Sequence, residues 1–379
     1  MVASGRKDEV QDSSQPSDLT PERTAPTAAM TRKRVVQGIG IAVVLVVAVY
    51  VLAPRVLGLE GTLKVLGKAE PGWLAVALGF TIAAFASYVL LFAAVIGRGI
   101  KRFGWRESYQ VTMAGLSATL LFGAGGAGGI FLTYWALRKA GTERRLAVGR
   151  IVAFLVILYS VYMGSLVVFG TLLRSESIPG GSELTVTLIP AGLAALVIAV
   201  VLAMALVPVD LDRRRTPGGR VGDGPMPRRK FRARLAAIAP TASVGVRDAL
   251  AFARSPGSAA LALGSALWFW AANVGVLWAA LEAFGVRAPV GVLVQGFFVG
   301  MAANLFPLAP GGVGAVDAGL IGALVLFDIP ANESFAAILL FRAFTFWFPI
   351  PLGVAAFLGL RRTVARWERA DAHTPKKSA

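Results

Sequence analysis

Two oppositely charged residues, Asp317 and Arg342, lie inside long apolar stretches of the sequence. A charged side chain at membrane depth is costly and is rarely kept without a role. Asp317 comes shortly after the glycine-rich run 311–314, and a carboxylate is favoured near a helix N-terminus. Two interpretations stay open. The pair locks the glycine turn to the next helix, or it forms an anion-binding or coupling site on a translocation path.

The glycine runs offer backbone N–H groups as further ligands for an anion. A glycine turn that leads into a helix presents convergent N–H donors to a phosphate. A second run of this kind, 123–129, lies earlier in the chain, and neither run carries the Lys-Ser/Thr of a nucleotide-binding loop. The predicted substrate-binding and translocation residues are Asp317, Arg342, Gly311, Gly312, Gly314, Gly125, Gly126, Asn304 and Arg150.

The cysteine and histidine content excludes several kinds of chemistry. The chain has no cysteine, so disulfides, thiol nucleophiles and thiolate metal sites are excluded. Its one histidine, His373, stands in the polar C-terminal tail, which leaves no histidine base or metal cluster for the apolar stretches. We therefore predict no catalytic residue, no metal ligand and no cofactor.

The composition is that of a polytopic membrane protein. Of 379 residues, 56% are hydrophobic and 16% are charged, against about 25% charged residues in soluble domains. The net charge is +17, but the basic residues gather at the edges of long apolar runs. This distribution excludes an ordinary soluble enzyme and makes nucleic acid an unsuitable partner.

Ten apolar runs predict an all-α membrane protein. Six of them approach or exceed the roughly 20 residues that a transmembrane helix needs. These six are 35–53, 72–97, 149–173, 184–209, 257–283 and 335–360. The four shorter runs form two pairs, each broken by glycine, and we predict re-entrant helical hairpins at 108–137 and 290–327. Re-entry is favoured because 127–137 is too short to cross and because glycine-rich backbone needs protein or water around it.

The same pattern predicts the domain organisation and the topology. We expect a disordered tail at 1–34, a first membrane half at 35–209, a second at 257–360 and a basic tail at 361–379. Between the halves, 210–256 is a basic loop with an interfacial helix. Most of the 38 Lys and Arg residues fall on one side of this arrangement, so the positive-inside rule places both termini in the cytoplasm.

The two halves also predict an inverted repeat. The first hairpin enters from the cytoplasmic side and the second from the outside, with mirrored flanking spans. Weak sequence matches support the repeat: 77–79 resembles 262–264, and 103–106 resembles 284–287. Inverted repeats with broken helices recur in secondary transporters, where the substrate site lies near the midplane. We therefore expect the site where the two hairpin tips meet.

The stretch 307–317, followed by Arg342 and Gly353, resembles the second signature of the lysylphosphatidylglycerol synthase transmembrane region family. The glycine run ending in Tyr134, Leu137, Arg138 and Gly141 is similar to the first signature, and the resemblance covers 35–362. It implies a relative of the flippase half of the multiple peptide resistance factor, in the bacterial cytoplasmic (inner) membrane. This chain departs from the pattern in having Asp317 where Glu is usual and no acid at the first tip.

The function predicted from these features is lipid translocation between leaflets. The implied substrates are an anionic or aminoacylated phospholipid, or a polyprenyl-linked lipid. Because the chain ends at Ala379, soon after the last apolar run, we expect no aminoacyl-transferase domain and a separate lipid-modifying enzyme. Two alternatives stay open: a non-transporting accessory or scaffold protein of envelope synthesis, and a membrane glycosyltransferase. The second is disfavoured by short outer loops with scattered acids.

Overall fold

The computed structural model describes residues 67–122, 126–181, 183–206, 256–305 and 310–373 of the chain. The predicted tail 1–34, the predicted first span 35–53 and all of the predicted loop 210–256 except Pro256 lie outside these residues. Within the described ranges the chain is helical and contains no strand. The predicted all-α fold class is therefore confirmed for this part of the molecule.

Ten α-helices follow one another along the described residues. They are α1 (Pro71–Phe92), α2 (Trp105–Phe122), α3 (Ala127–Lys139), α4 (Arg144–Arg174), α5 (Leu188–Leu206), α6 (Pro256–Glu282), α7 (Val290–Met301), α8 (Ala315–Leu326), α9 (Ala331–Arg342) and α10 (Pro349–His373). A π-helical turn, Ala93–Gly97, extends α1, and a second one, Ala343–Trp347, joins α9 to α10.

Four helical stretches of the described chain are long and apolar enough to cross a membrane. They are Pro71–Gly97, Arg144–Arg174, Gly257–Glu282 and Ala331–Ala372. Each coincides with one of the six predicted spans. The predicted span 184–209 corresponds to α5, which begins only at Leu188 because 184–187 form turns.

Both predicted hairpins are pairs of helices. The described residues of 108–137 lie almost entirely in α2 and α3, and those of 290–327 lie mainly in α7 and α8. Helices α7 and α8 have 12 residues each, and α3 has 13. A 12-residue helix is about 18 Å long, well short of a hydrocarbon core of about 30 Å.

The two helices of each hairpin cross closely at glycine. In the first hairpin, a Cβ on Gly129 would lie 2.7 Å from the carbonyl oxygen of Gly115. In the second, a Cβ on Gly300 would lie 2.5 Å from the Cα of Leu320, and one on Gly319 would lie 2.6 Å from the Gly300 carbonyl oxygen. Gly300 thus allows α7 and α8 to pack closely, since small residues let helix backbones approach.

Helix α1 packs along α6, and α2 packs along α10. Small side chains line the first of these contacts. Ala77 and Ala262 are fully buried, and a Cβ on Gly275 would lie 2.7 Å from the ring of Phe80. Helix α4 in turn packs against α5, α6 and α7, so that the hairpins lie against long helices from the other half of the chain.

One end of the helix bundle collects the basic segments. Arg98, after α1, donates to the hydroxyl of Ser258 in the first turn of α6. Arg102 pairs with Asp371 near the end of α10, and Lys139, at the end of α3, pairs with Glu368 at 2.6 Å. The hydrogen bond that Arg102 donates to the Asp371 carboxylate raises the pKa of the guanidinium above its ordinary value. We call this the basic end.

The opposite end joins the start of α1 to the end of α6. The backbone N–H of Glu70 donates to the carbonyl oxygen of Ala283 at 2.9 Å. The start of α7 packs there against the segment that follows α4. The approach is close, since a Cβ on Gly291 would lie 2.5 Å from the side chain of Ile178. The buried amide of Gln295 donates to the Val186 carbonyl at 2.8 Å, which fixes α7 to the chain before α5.

Candidate functional site

The tip of the second hairpin is a glycine turn in the left-handed conformation. Gly311, Gly312 and Gly314 have φ angles of 63°, 68° and 83°. Residues with a Cβ rarely adopt such angles. A Cβ on Gly311 would also overlap the ring of Phe346 and lie 3.0 Å from the carbonyl oxygen of Leu120 in α2. Glycine is therefore required both by the turn and by its close neighbours.

Asp317 caps the helix that follows this turn. The backbone N–H of Gly314 donates to Oδ2 of Asp317 at 2.9 Å, and Asp317 occupies the third position of α8. The arrangement satisfies an N–H group that a helix start leaves without an intrahelical partner. The carboxylate also interacts favourably with the positive end of the helix dipole. The cap uses the Gly314 N–H, so this group serves Asp317 rather than an external anion.

Arg342 connects the end of α9 to the same turn. Its Nε donates to Oδ1 of Asp317, and the two residues are only 5% and 4% exposed. Its two terminal nitrogens approach the carbonyl oxygens of Gly311 and Gly312 at 3.4 Å and 3.3 Å. The pair expected from the sequence is present, and the arginine binds both the carboxylate and the turn.

A buried ion pair of this kind is sensitive to the loss of either partner. Removing water from both charges is expensive, and the attraction offsets that cost only when further hydrogen bonds satisfy them. Here the glycine carbonyls and the Gly314 N–H supply those bonds. Deleting one partner leaves an uncompensated charge and costs roughly 3–5 kcal/mol. A phosphate that reached the site would compete with Asp317 for the guanidinium.

Phe346 completes the surroundings of Arg342 and was not predicted. The ring centroid lies 5.8 Å from the guanidinium carbon, and Phe346 is buried in the π-helical turn Ala343–Trp347. Cations are attracted to aromatic faces at such distances. Single π-helical turns occur often at functional sites. The four-residue spacing between Arg342 and Phe346 could have indicated this contact from the sequence.

The first hairpin approaches the second at this point. Helix α2 contacts the turn Pro310–Gly312, and its Leu120 carbonyl is the neighbour of Gly311. Gly126 has a φ of 90° at the start of α3, where a Cβ would meet no atom of the described residues within 4 Å. Gly125 lies outside the described residues. Asn304 is exposed beside the turn, with Oδ1 3.1 Å from where a Cβ on Gly312 would stand.

Arg150 takes part in a different contact. Its guanidinium donates to the carbonyl oxygen of Ile96 at 2.7 Å. This bond joins the second turn of α4 to the π-helical turn after α1. The structure therefore groups Gly311, Gly312, Gly314, Asn304, Asp317 and Arg342, and it places Arg150 in the packing of α4 against the chain after α1.

A polar chain between α2 and α10, also missed from the sequence, holds the first hairpin beside this group. Ser117 donates to the carbonyl oxygen of Pro349 at 3.0 Å, close to the π-helical turn. Further along, Thr363 donates to the side-chain oxygen of Gln110 at 3.0 Å. A Cβ on Gly353 would overlap Ser117, which explains in physical terms why glycine suits this position. An uncharged polar residue on one predicted helix, opposite a glycine on the helix that packs against it, could have indicated this contact from the sequence.

A comparison with protein-family models identifies the wider relationship. The model described as Lysylphosphatidylglycerol synthase TM region matches residues 37–353, most of the chain. The chain belongs to this family. A search of curated proteins found no match. The resemblance inferred from the second glycine run is thereby confirmed.

Membership of the Lysylphosphatidylglycerol synthase TM region family agrees with the helices described above. The matched range includes both hairpins and ends within α10, so it contains Asp317 and Arg342. Together with the four long apolar helices, it makes this chain a multi-pass membrane protein. The TM region of this family is flippase-like, which is consistent with a non-enzymatic function.

Proposed function

We propose that this protein translocates a lipid between membrane leaflets and that the headgroup passes the Asp317–Arg342 pair. The observation that carries the proposal is the buried pair itself, held at the tip of one hairpin and beside the end of α2 from the other. Charge at this depth is retained mainly on substrate or ion pathways. The family relationship supports a lipid as the substrate.

The position of the pair supports a site near the middle of the membrane. Helix α9 begins at Ala331 and reaches Arg342 after 12 residues, a length of about 18 Å. If Ala331 lies at the membrane surface, Arg342 lies about half-way through a core of about 30 Å. A lipid phosphate arriving there takes the guanidinium from Asp317, and the carboxylate recovers it when the lipid leaves.

Matching contacts in the two halves support an inverted repeat around this site. Ala77 in α1 and Ala262 in α6, paired by the sequence matches, are both fully buried, and these two helices pack against each other. Gly115 and Gly300 occupy corresponding crossings within the two hairpins. The helix that follows each hairpin also carries an arginine that donates to backbone carbonyls, Arg150 in α4 and Arg342 in α9. In this proposal the hairpins are re-entrant from opposite sides and both termini are cytoplasmic.

The direct test is leaflet exchange in proteoliposomes. The full chain is reconstituted with a trace of fluorescent phosphatidylglycerol, and a membrane-impermeant reductant bleaches the outer leaflet. Wild-type protein should expose the inner-leaflet lipid to the reductant. Asp317→Asn and Arg342→Ala should slow that exposure roughly tenfold or more, the effect of about 1.4 kcal/mol on a barrier.

Asp328→Asn is the matched control for Asp317→Asn. Asp328 is exposed just past the other end of α8 and has a φ of 63°, which asparagine tolerates. It should exchange lipid at the wild-type rate. Normal exchange by well-folded Asp317→Asn and Arg342→Ala would overturn the assignment of the site. Absence of exchange by wild-type protein, with lipids co-purifying, would favour the accessory or scaffold function instead.

A further inference from the structure

Five arginines line one cavity at the basic end of the molecule. The cavity has a volume of about 590 Å³ and is bordered by Arg106, Arg361, Arg362, Arg366 and Arg369. The last four lie on one face of α10, at spacings of one, four and three residues, together with Leu358 and Ala365. Arg106 faces them from the first turn of α2.

This concentration of like charge favours an anionic ligand. Like charges three or four residues apart on a helix repel each other. No carboxylate is among the described residues that border the cavity. Within α10, Glu368 pairs with Lys139 and Asp371 pairs with Arg102. Arg366 donates to the Thr363 hydroxyl at 3.0 Å, and Arg369 donates to the Ala365 carbonyl oxygen at 3.3 Å. Each guanidinium carries five N–H donors in a fork that suits phosphate oxygens.

An apolar groove meets this cavity at Arg106. The groove has a volume of about 960 Å³, and Arg106 borders both spaces. Its walls come from α1, α2, α6 and the start of α10, with Phe85, Tyr109, Trp268 and Leu352 among them. Trp105 and Trp268 are more than half exposed. The two spaces together have the chemistry of an amphiphile, with an anionic end among arginines and an apolar end in the groove.

The groove also leads toward the pair at the hairpin tips. It runs along α2 from Trp105 to Met113, about 12 Å of helix. At its far end are Phe348 and Leu352, directly after the π-helical turn that holds Phe346 against Arg342. An acyl chain in the groove would therefore lie beside the route from the basic end to the Asp317–Arg342 pair.

We infer that this composite site binds a phospholipid of net negative charge, with its phosphate among the arginines and one acyl chain in the groove. The inference rests on the proposed function only for the statement that the bound lipid is the one transported. The five arginines favour an unmodified anionic headgroup, such as phosphatidylglycerol, over a headgroup that carries a lysyl group. Binding itself is measurable without transport.

The test is lipid selectivity in nanodiscs. The full chain is incorporated into phosphatidylcholine with a minor fraction of phosphatidylglycerol or lysylphosphatidylglycerol, and the bound lipids are counted by native mass spectrometry. Wild-type protein should retain phosphatidylglycerol in preference to both other lipids. The double variant Arg362→Gln/Arg366→Gln should reduce that preference roughly thirtyfold, since each charge near an anionic headgroup contributes about 1 kcal/mol and about 1.4 kcal/mol corresponds to a factor of ten.

Two matched controls separate the site from general charge and surface effects. Arg144→Gln/Arg145→Gln removes two exposed arginines from the start of α4, outside the cavity, and should leave the preference unchanged. Ala86→Trp fills the groove at an exposed position and should weaken retention, whereas Ala195→Trp, on the exposed face of α5, should not.

Several outcomes would overturn the inference. The first is that Arg144→Gln/Arg145→Gln reduces the preference for phosphatidylglycerol as much as Arg362→Gln/Arg366→Gln does. The second is that wild-type protein retains phosphatidylcholine as well as phosphatidylglycerol. The third is that millimolar glycerol phosphate displaces bound phosphatidylglycerol as effectively as added phosphatidylglycerol does. The last would mean that a free phosphate suffices. Selectivity without exchange would remove the proposed function and leave this site standing, and exchange without selectivity would do the reverse.

Discussion

The two glycine-rich hairpins are built alike in their helix crossings and differ in charge at their tips. Both bring their helices together at glycine, through Gly115 and Gly129 in one and Gly300 and Gly319 in the other. The first has no acidic residue between α2 and α3, and among the described residues no atom lies within 4 Å of where a Cβ on Gly126 would stand. The second carries Asp317, which is bound to Arg342 against the glycine turn. The difference indicates a shared scaffold with one specialised tip.

The largest expected effect comes from breaking the charged tip on one side only. Arg342→Met leaves Asp317 buried without its partner and should lower the free energy of unfolding by roughly 3–5 kcal/mol. The double variant Asp317→Leu/Arg342→Met should recover most of that stability, because neither charge remains buried. Thermal unfolding in detergent measures both variants.

The same double variant separates a structural pair from a transport site. If the pair serves translocation, the double variant should be unable to exchange lipid even though it is stably folded. Exchange at the wild-type rate in that variant would show that the pair only locks the hairpin to α9.

Alanine in place of a turn glycine should distinguish the two tips. Gly311→Ala combines a φ of 63° with overlap of the Phe346 ring, and we expect a loss of about 2–3 kcal/mol. Gly126 has a φ of 90°, but the Cβ added by Gly126→Ala would meet no described atom within 4 Å, so we expect only the backbone cost of about 1–2 kcal/mol. Unfolding midpoints of the two variants, measured side by side, test the order; equal losses would contradict the tight turn.

The helix crossings should respond equally in the two hairpins. Gly129→Ala and Gly300→Ala each place a methyl group against backbone atoms of the partner helix. Overpacking of this kind costs about 1–3 kcal/mol. We expect both losses to agree within about 1 kcal/mol in chemical denaturation. A much larger loss in one hairpin would mean that the crossings are not equivalent.

The smallest effect is expected at the basic end. Lys139→Gln removes an ion pair with Glu368 in which both side chains are about half exposed. Such pairs contribute about 0–1 kcal/mol and weaken with salt. The unfolding midpoint should therefore change little at low salt and not at all at high salt. A loss of stability in Lys139→Gln as large as that in Arg342→Met would contradict the expected difference between exposed and buried ion pairs.

Much of the candidate site could be predicted because membrane burial makes certain residues conspicuous. Asp317 and Arg342 stand out as charges in apolar runs, and 311–314 stands out as glycine where a helix is expected. Arg150 also stands near an apolar run, but it lies in a different contact, because its guanidinium donates to the carbonyl oxygen of Ile96. The contacts of Phe346 and Ser117 were not predicted, because aromatic and small polar residues are common in membrane helices and their type alone does not indicate a site.

The sequence by itself determined the helical class, the position of the long apolar helices, the two broken pairs and the family. Those properties depend on hydropathy and length, which are local and additive along the chain. Only the tertiary structure decided which helices pack together and that the Leu120 carbonyl lies beside Gly311. It also decided that Arg106 borders both the arginine-lined cavity and the apolar groove. Those contacts depend on side-chain shape between segments far apart in sequence, for which a single sequence contains no direct measure.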